Sequence, residues 1–406
     1  MLITYKFKLD TTKNQQQLID SQVESCRKLY NFFLNQRIYL YHKKGISIKK
    51  SDQQRQLPLI KSNKPEYQDI SSVVLQDIVD RVDKAFKQFF KRNKTIKTGG
   101  FPRFKPKDRY KSMSFSYMGF TLQSRNKIAL THIGHVKYIP HRKVKGTPKK
   151  CIIKRTKTGA YMISIVCEIK VKPKKKKLEF IVGIDLGITN FVVTSDNVAI
   201  PPDKRNKVRF KRRKRIQRAL DCKIKGSKNR KKNRIVLSLA YEKEKNTRRD
   251  AMHKLAKSLV RAYDVIVIED LDIENMLRTG HRSLHRLIQE ASWGTFINYL
   301  AYKAEKAGKW LIKVDPKNTT QECSGCKNIV RKKLSERTHK CPFCGLTISR
   351  DYNASINILH RGLEQIRELI TAGVAGIYAC GDLANWLNDM INGFGQPKNA
   401  PLFSLV

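Results

Sequence analysis

The sequence predicts an α/β fold in its second half and a small β-barrel or sandwich with inserted helices in its first. Three observations carry this. The runs Ile181-Val182-Gly183-Ile184 and Val265-Ile266-Val267-Ile268 are apolar enough to be central strands covered on both faces, and each ends on a carboxylate, Asp185 and Glu269. Short alternating segments separated by Gly or Pro fill residues 113–170. Four cysteines in two Cys-x-x-Cys pairs stand just before a third acid, Asp351.

Taken in order, residues 1–9 alternate like a strand and lack the apolar centre of a signal peptide. Residues 12–43 read as a helix with Leu18, Ile19, Val23, Cys26, Tyr30, Phe33 and Leu34 on one face. A second helix spans residues 71–91 through Val74, Ile78, Val82, Phe86 and Phe89, and the stretch between the two, with Pro58 and Pro65, reads as polar connection. Thr98-Gly99-Gly100-Phe101-Pro102 breaks the helical pattern. Residues 171–177, with four consecutive lysines from Lys174, read as a linker. A strand pair is expected over residues 180–194, then a basic run, then a helix through Met252, Leu255, Ala256, Leu259, Val260 and Tyr263 leading into the Glu269 strand. One long helix is expected over residues 284–307, stopped by Gly308, with a strand at Trp310–Val314. After Thr371 the chain holds one lysine (Lys398) and two acids (Asp382 and Asp389) amid Gly, Asn and Pro, and reads as a disordered tail.

The 406 residues carry 84 Lys+Arg against 34 Asp+Glu, a formal charge of +50. Such a charge opposes compaction unless a polyanion is bound, and nucleic acid is the polyanion expected, since each phosphate neutralised releases a counterion. A merely solvated cationic surface, or an anionic membrane surface, is the competing explanation. No basic amphipathic helix, lipidation motif or stretch of about 18 apolar residues supports a membrane role. Residues 204–234 hold 17 Lys/Arg against Asp221 alone, so this run is expected to contact phosphate and to be mobile without it. Cys26, Cys151, Cys167, Cys222 and Cys380 are scattered singly, which suits a reducing compartment, the cytosol, better than a disulfide framework.

Cys323-x₂-Cys326-x₁₄-Cys341-x₂-Cys344 offers four thiolates to one tetrahedral ion, one structural Zn²⁺ with no open position, or iron as the lesser alternative. Gly325 and Gly345 stand where tight turns are expected. Asp185, Glu269 and Asp351 lie where an RNase H-type nuclease needs metal-binding carboxylates. A buried unpaired carboxylate costs several kcal/mol, on the order of known transfer penalties, and a divalent cation relieves that cost. Asp270 and Asp272 compete with Glu269 for the role, but strand alternation turns Asp270 to the opposite face. Asp351 is also explained as an acid at a helix N-terminus, and Asn353 and Asn357 either line the site or brace the loop. His253 reads as surface or support. Gly183-Ile184-Asp185-Leu186-Gly187 also looks like the phosphate loop of actin-like ATPases, but the second glycine-rich loop those proteins need is missing.

The chain resembles the TnpB (OrfB) family of insertion-sequence-encoded, RNA-guided endonucleases related to type V CRISPR effectors. The resemblance rests on Cys26-Arg27-Lys28-Leu29-Tyr30-Asn31, Gly100-Phe101-Pro102-Arg103-Phe104-Lys105, the Gly-Ile-Asp-Leu-Gly strand, His253-Lys254-Leu255-Ala256, and the four cysteines followed by Arg350-Asp351-Tyr352-Asn353-Ala354, all in the family's order. It implies a wedge-like β-barrel (residues 1–10 and 96–177), an inserted helical recognition lobe (11–95), an RNase H-like RuvC nuclease (178–318 and 348–371) and an inserted zinc ribbon (319–347). It puts Asp185, Glu269 and Asp351 on the catalytic triad, holding two Mg²⁺ (or Mn²⁺), with Asp185 bridging both. It further implies a guide RNA from the transposon end, a double-stranded DNA target beside a short motif, and a prokaryotic cytoplasmic setting. Arg103, Lys105, Arg212, Arg213, Lys214, Arg215, Lys231 and Lys232 are the expected nucleic-acid contacts. A nuclease-silent RNA-guided repressor and a strand-transferring transposase remain the alternatives.

Overall fold

The computed structural model describes residues 1–96, 100–107, 109–123, 126–170, 180–279, 282–333 and 336–371. The expected linker at 171–177 and the expected tail at 372–406 lie outside these residues. The chain divides into two compact units, Met1–Lys170 and Val171–Val406.

In the first unit β1 (Leu2–Asp10) leads into α1 (Lys13–Lys44), α2 (Lys50–Arg55), α3 (Leu57–Asn63), α4 (Pro65–Gln68) and α5 (Ser72–Ile96). Six strands follow: β2 (Ser112–Ser116), β3 (Phe120–Leu122), β4 (Lys127–Leu130), β5 (Gly134–Ile139), β6 (Thr147–Arg155) and β7 (Tyr161–Glu168). Thr12 starts α1 with a reciprocal cap to Gln15, and Gly45 ends it at φ 65°, a left-handed conformation that glycine adopts without cost. The stretch read as polar connection is instead three short helices. Pro58 and Pro65 stand in the first turns of α3 and α4, where a missing N–H breaks no helical bond.

The seven strands form one antiparallel sheet in the order β2-β6-β7-β1-β5-β4-β3. Its end strands, β2 and β3, are separated in sequence only by the Tyr117–Gly119 turn. The sheet therefore curls until its edges meet at that turn, without a closed ring of strand-to-strand hydrogen bonds. Phe7, Phe115, Ile163 and Ile165 share one core with Ile19 and Phe33 of α1 and Ile78 and Val82 of α5. Arg81 on α5 binds Asp77 (2.6 Å), the Ser112 carbonyl (2.9 Å) and Ser114 Oγ (2.9 Å), while Lys150 of β6 reaches Asp77 at 2.7 Å. Helices and sheet are thus fastened by polar contacts as well as by the shared core.

The second unit has a five-stranded sheet of β8 (Ile181–Asp185), β9 (Val192–Thr194), β10 (Ala199–Ile200), β11 (Val265–Glu269) and β12 (Trp310–Val314), ordered β10-β9-β8-β11-β12. β8, β11 and β12 run parallel, and β9 and β10 are antiparallel additions. Between β10 and β11 lie α6 (Lys204–Asp221) and α7 (Lys228–Ala262); α8 (Ile273–Thr279), α9 (Arg282–Ala291) and α10 (Trp293–Ala307) precede β12. The hairpin β13 (Thr338–Lys340) and β14 (Thr347–Ser349) runs without a gap into α11 (Arg350–Thr371).

Alternation sorts the central strands. Val182, Ile184, Ile266 and Ile268 pack with Met252, Leu259, Phe296 and Leu300 of α7 and α10. Ile181, Val265, Val267 and Val314 pack with Ile358, Leu359, Leu363 and Ile366 of α11 on the other face. Both faces are covered, which explains the unbroken apolar runs.

In this unit two expectations are corrected. The single helix over 284–307 is two helices, broken at Ser292, whose φ is 55°. The basic run over 204–234, expected to be mobile, is helical: it holds the whole of α6 and the first turns of α7, which pack as an antiparallel pair. Asp203 and Ser227 cap the N-termini of α6 and α7, and Arg230 donates to the Leu220 carbonyl (2.9 Å) at the C-terminus of α6. Glu244, buried, takes Arg213 at 2.6 Å, so a charge from α7 fastens the two helices.

α11 lies on the sheet so closely that a Cβ on Gly183 would stand 2.2 Å from the Ser355 carbonyl oxygen and 2.6 Å from the Leu359 nitrogen. Gly183→Ala should therefore cost at least the roughly 1–3 kcal/mol of ordinary overpacking, read as a lower denaturant midpoint for the second unit. A wild-type midpoint would show that α11 is not seated on β8.

Candidate active site

Asp185 and Glu269 end the neighbouring parallel strands β8 and β11, where Ile184 pairs with Ile268. By alternation Asp185 follows Ile181 and Gly183, and Glu269 follows Val265 and Val267, so both face α11. Asp351 stands in the first turn of that helix, one turn before Ser355, the residue lying on Gly183. The sequence-predicted acids thus lie at the C-terminal edge of the parallel strands, with Asp185 near enough to feel the charges of both others, although their oxygens are not drawn into one tight ligand group as the cysteine sulfurs are. Asp185 and Glu269 are each 8% exposed. Burial, then the charges of Glu269 and Asp351, push the Asp185 carboxyl up to about 8. Burial also raises Glu269, opposed by hydrogen bonding from Thr319 and the charge of Arg361. An Asp185 carboxyl disfavoured as an anion by burial and by its acidic neighbours suits a divalent cation, which removes both the repulsion and the desolvation cost.

The neighbouring acids have other duties. Asp270 is exposed and paired with Lys313 at 2.7 Å, and Asp272 accepts from the Asn275 nitrogen at 3.0 Å at the start of α8. Arg350 lies 3.3 Å from Asp351 Oδ1 and also donates to the Glu336 carbonyl at 3.0 Å. His253 stacks on Tyr299 with centroids 3.8 Å apart, which joins α7 to α10 away from the acids in role.

Asn353 and Asn357 are fully buried and brace the loop before the cysteines. Asn353 accepts from the Ser324 nitrogen (2.9 Å) and donates to the Glu322 carbonyl (2.7 Å). Asn357 donates to the Thr319 and Glu322 carbonyls at 3.0 and 2.7 Å. Two residues went unnoticed in the sequence, Thr319 and Arg361. Thr319 Oγ1 donates to Glu269 Oε1 at 2.5 Å, and one of two adjacent threonines in a polar loop carries no pattern that would mark it.

Among the described residues, Cys323, Cys326, Cys341 and Cys344 form a group whose ligand atoms all lie within 4.8 Å of one another. The Cys323–Cys344 and Cys326–Cys341 sulfurs are 3.6 and 3.5 Å apart, far beyond a disulfide and near the edge of about 3.8 Å expected for a tetrahedron of zinc–sulfur bonds. The two knuckles turn alike: the Lys327 nitrogen donates to the Cys323 carbonyl at 2.9 Å, and Gly345 to Cys341 at 3.0 Å. Lys327 and Gly345 take positive φ, 64° and 73°, so the left-handed position is the residue after the second cysteine and not Gly325. The Asn328 backbone N–H lowers the Cys326 thiol to about 6, while against the lowering effect of the Leu346 backbone N–H hydrogen bonding to the other cysteines raises Cys344 to about 12, so the two thiols titrate as a linked pair and not one by one.

Of the expected nucleic-acid contacts, Arg103, Arg212, Lys214, Arg215, Lys231 and Lys232 are exposed and Lys105 is half-buried. Asn31 binds both the nitrogen (2.8 Å) and the carbonyl (3.1 Å) of Lys105, joining two of the motifs singled out in the sequence. Arg213 is the exception. Its guanidinium is committed to Glu244 and lies over the Phe210 and Tyr241 rings at 4.8 and 4.6 Å, so it fastens the helical pair and is not a free phosphate contact.

No helix among the described residues is long and apolar enough to cross a membrane. A family profile described as "Probable transposase" matches residues 164–280, and one described as "Cas12f1-like, TNB domain" matches residues 293–358. A third, described as "Helix-turn-helix domain", matches residues 1–45, which here are β1 and the unbroken α1. The chain is 31% identical over 304 residues to a "Putative RNA-guided DNA endonuclease" of Streptomyces pristinaespiralis, across 73% of this chain and 72% of that one. It is 29% identical over 310 residues to "Putative RNA-guided DNA endonuclease InsQ" of Escherichia coli (strain K12), across 72% and 75%. Its fold is similar to that in the "Cryo-EM structure of the Cas12f1-sgRNA-target DNA complex", with a TM-score of 0.58 at 17% identity, covering 86% of this chain and 83% of that one. Identity at this level over most of both chains shows that the protein belongs to the TnpB (OrfB) family.

Proposed function

We propose that the chain cuts DNA at sites selected by a guide RNA, hydrolysing phosphodiester bonds at Asp185, Glu269 and Asp351. The observation that carries this reading is the convergence of three acids on one edge of the sheet, with burial and mutual repulsion holding Asp185 up to about 8. Two divalent cations, Mg²⁺ or Mn²⁺, supply an activated water and charge neutralisation at the leaving oxygen when bound to such a set. Asp185, Glu269 and Asp351 would hold them. The four cysteines suit one structural zinc, which fixes the hairpin from which α11 starts.

The relatives named as RNA-guided DNA endonucleases, and the neighbour solved with sgRNA and target DNA, support RNA and DNA as partners. A guide from the transposon end and a prokaryotic cytoplasm belong to the same reading, on the strength of the family resemblance. Phosphate contacts are assigned to Arg103, Lys105, Arg212, Lys214, Arg215, Lys231 and Lys232. The residue ranges 1–10 with 96–177, 11–95, 178–318 with 348–371, and 319–347 are kept as the wedge, recognition, nuclease and zinc-ribbon segments.

Asp185→Ala should abolish guided cleavage in Mg²⁺ while leaving RNA binding near wild type, because the acid serves a cation and not phosphate. Cutting at the wild-type rate would remove Asp185 from the site.

The same carboxyl gives the metal-free protein a pH signature. Its folded pKa, about 8, stands above its ordinary 3.8, so its favourable contribution is complete below pH 3.8 and is lost as pH rises through 8. In EDTA, Asp185→Asn should be more stable than wild type at pH 8, on the order of a few kcal/mol, and the two should converge near pH 4. Equal melting temperatures across that window would mean Asp185 is not buried as described.

Replacing Arg212, Lys214, Arg215, Lys231 and Lys232 with Gln should flatten the salt dependence of RNA binding, by roughly 0.7–0.9 in slope for each phosphate no longer neutralised. An unchanged slope would return the helical pair to a solvated surface.

A further inference from the structure

Thr319 lies in the loop between β12 and the first cysteine knuckle and is 2% exposed. Its hydroxyl is 2.5 Å from Glu269 Oε1 and 3.2 Å from the Pro316 carbonyl oxygen. A hydroxyl has one proton to give, and the carboxylate is both the nearer and the charged acceptor. The backbone of Thr319 is fixed in turn, because its carbonyl accepts from Asn357, six residues after Asp351 on α11. One turn on, Arg361 donates to the carbonyls of Asp315 (2.8 Å) and Lys317 (2.7 Å) and to the Glu322 carboxylate (2.7 Å). The helix that bears one carboxylate therefore anchors the loop that holds another.

We propose that Thr319 is a positioning residue for Glu269, tethering Oε1 so that Oε2 is presented to a divalent cation. The proposal rests on the reading of Asp185, Glu269 and Asp351 as a metal site. A glutamate carboxyl turns freely about its last torsion, which is broad and nearly two-fold. A short, charge-assisted hydrogen bond removes that freedom before the cation arrives, and partners of this kind typically contribute 10–100-fold to metal affinity.

Mn²⁺ binding to the full-length, zinc-loaded protein without nucleic acid, followed by electron paramagnetic resonance, tests this. Thr319→Val keeps the shape and removes the hydroxyl; it should weaken Mn²⁺ binding about 10–100-fold. Thr319→Ala, which cannot crowd the loop, should weaken it to a similar degree, and Thr319→Ser should restore wild-type affinity. Zinc content should stay at one per chain in all three. Glu269→Gln calibrates the site and should lose the same Mn²⁺ signal. Wild-type Mn²⁺ binding by Glu269→Gln would overturn the metal-site reading itself. Loss in Glu269→Gln with wild-type affinity in Thr319→Val and Thr319→Ala would overturn the role of Thr319 alone. Equal weakening by Thr319→Ser would also overturn it, since the hydroxyl would then not be the cause.

Discussion

The close seat of α11 on β8 and β11 is the constraint on which the second unit depends. Two glycines make it possible from opposite sides. Gly183 in the strand leaves room for the backbone at Ser355 and Leu359, and Gly362 in the helix leaves room for Val267, whose side-chain carbons would stand 2.5 and 2.6 Å from an added Cβ. With the axis held at both points, Asp351 has little freedom relative to Asp185. The same seating lets Ile358, Leu359, Leu363 and Ile366 close the apolar face of the sheet. Packing that stabilises the unit and geometry that gathers the acids are thus one contact.

That contact also explains why the cysteine hairpin sits where it does in the chain. β14 ends at Ser349 and α11 begins at Arg350, so no linker absorbs a change in the hairpin before it reaches Asp351. Asn353, Asn357 and Arg361 then tie the helix back to the loop that enters the first knuckle. Buried amides of this kind are costly unless satisfied; here their donors are spent on loop carbonyls, and of the two only Asn353 also uses its oxygen, Asn357 Oδ1 having no hydrogen-bond partner among the described residues. The cysteine cluster is therefore coupled to the carboxylate edge through hydrogen bonds and not through sequence adjacency alone.

The acids were legible in the sequence because each obeys a local rule: a carboxylate ending an apolar strand, or one opening a helix after a cysteine motif. The cysteine spacing was legible for the same reason. What escaped depends on residues far apart in the chain. The break at Ser292 is stabilised by Arg248 of α7, which donates to the Gln289 and Glu290 carbonyls at 3.3 and 3.0 Å and to Ser292 Oγ at 3.2 Å. The local apolar spacing runs on through this point, so periodicity alone predicts one helix. The curl of the first sheet likewise depends on which strands end the order, and alternation gives faces but not neighbours.

Charge counting misjudged the basic run for a related reason. Seventeen positive residues against one acid suggest a segment that cannot fold by itself, and the sum is correct for residues 204–234. The relevant acid lies outside that window. Glu244 stands further along α7 and reaches back to Arg213 across the pair. Its burial matters more than its number, because a desolvated ion pair that also engages Tyr241 fixes the register of the helices, whereas exposed pairs of the same charge contribute little. One buried acid is thus enough to define the geometry without neutralising the surface. Arg212, Lys214 and Arg215 stay exposed on α6 and Lys231 and Lys232 on α7, carried by helices that the Arg213–Glu244 pair fastens together. A framework already folded spends less conformational entropy on binding than a segment that must order itself on its ligand.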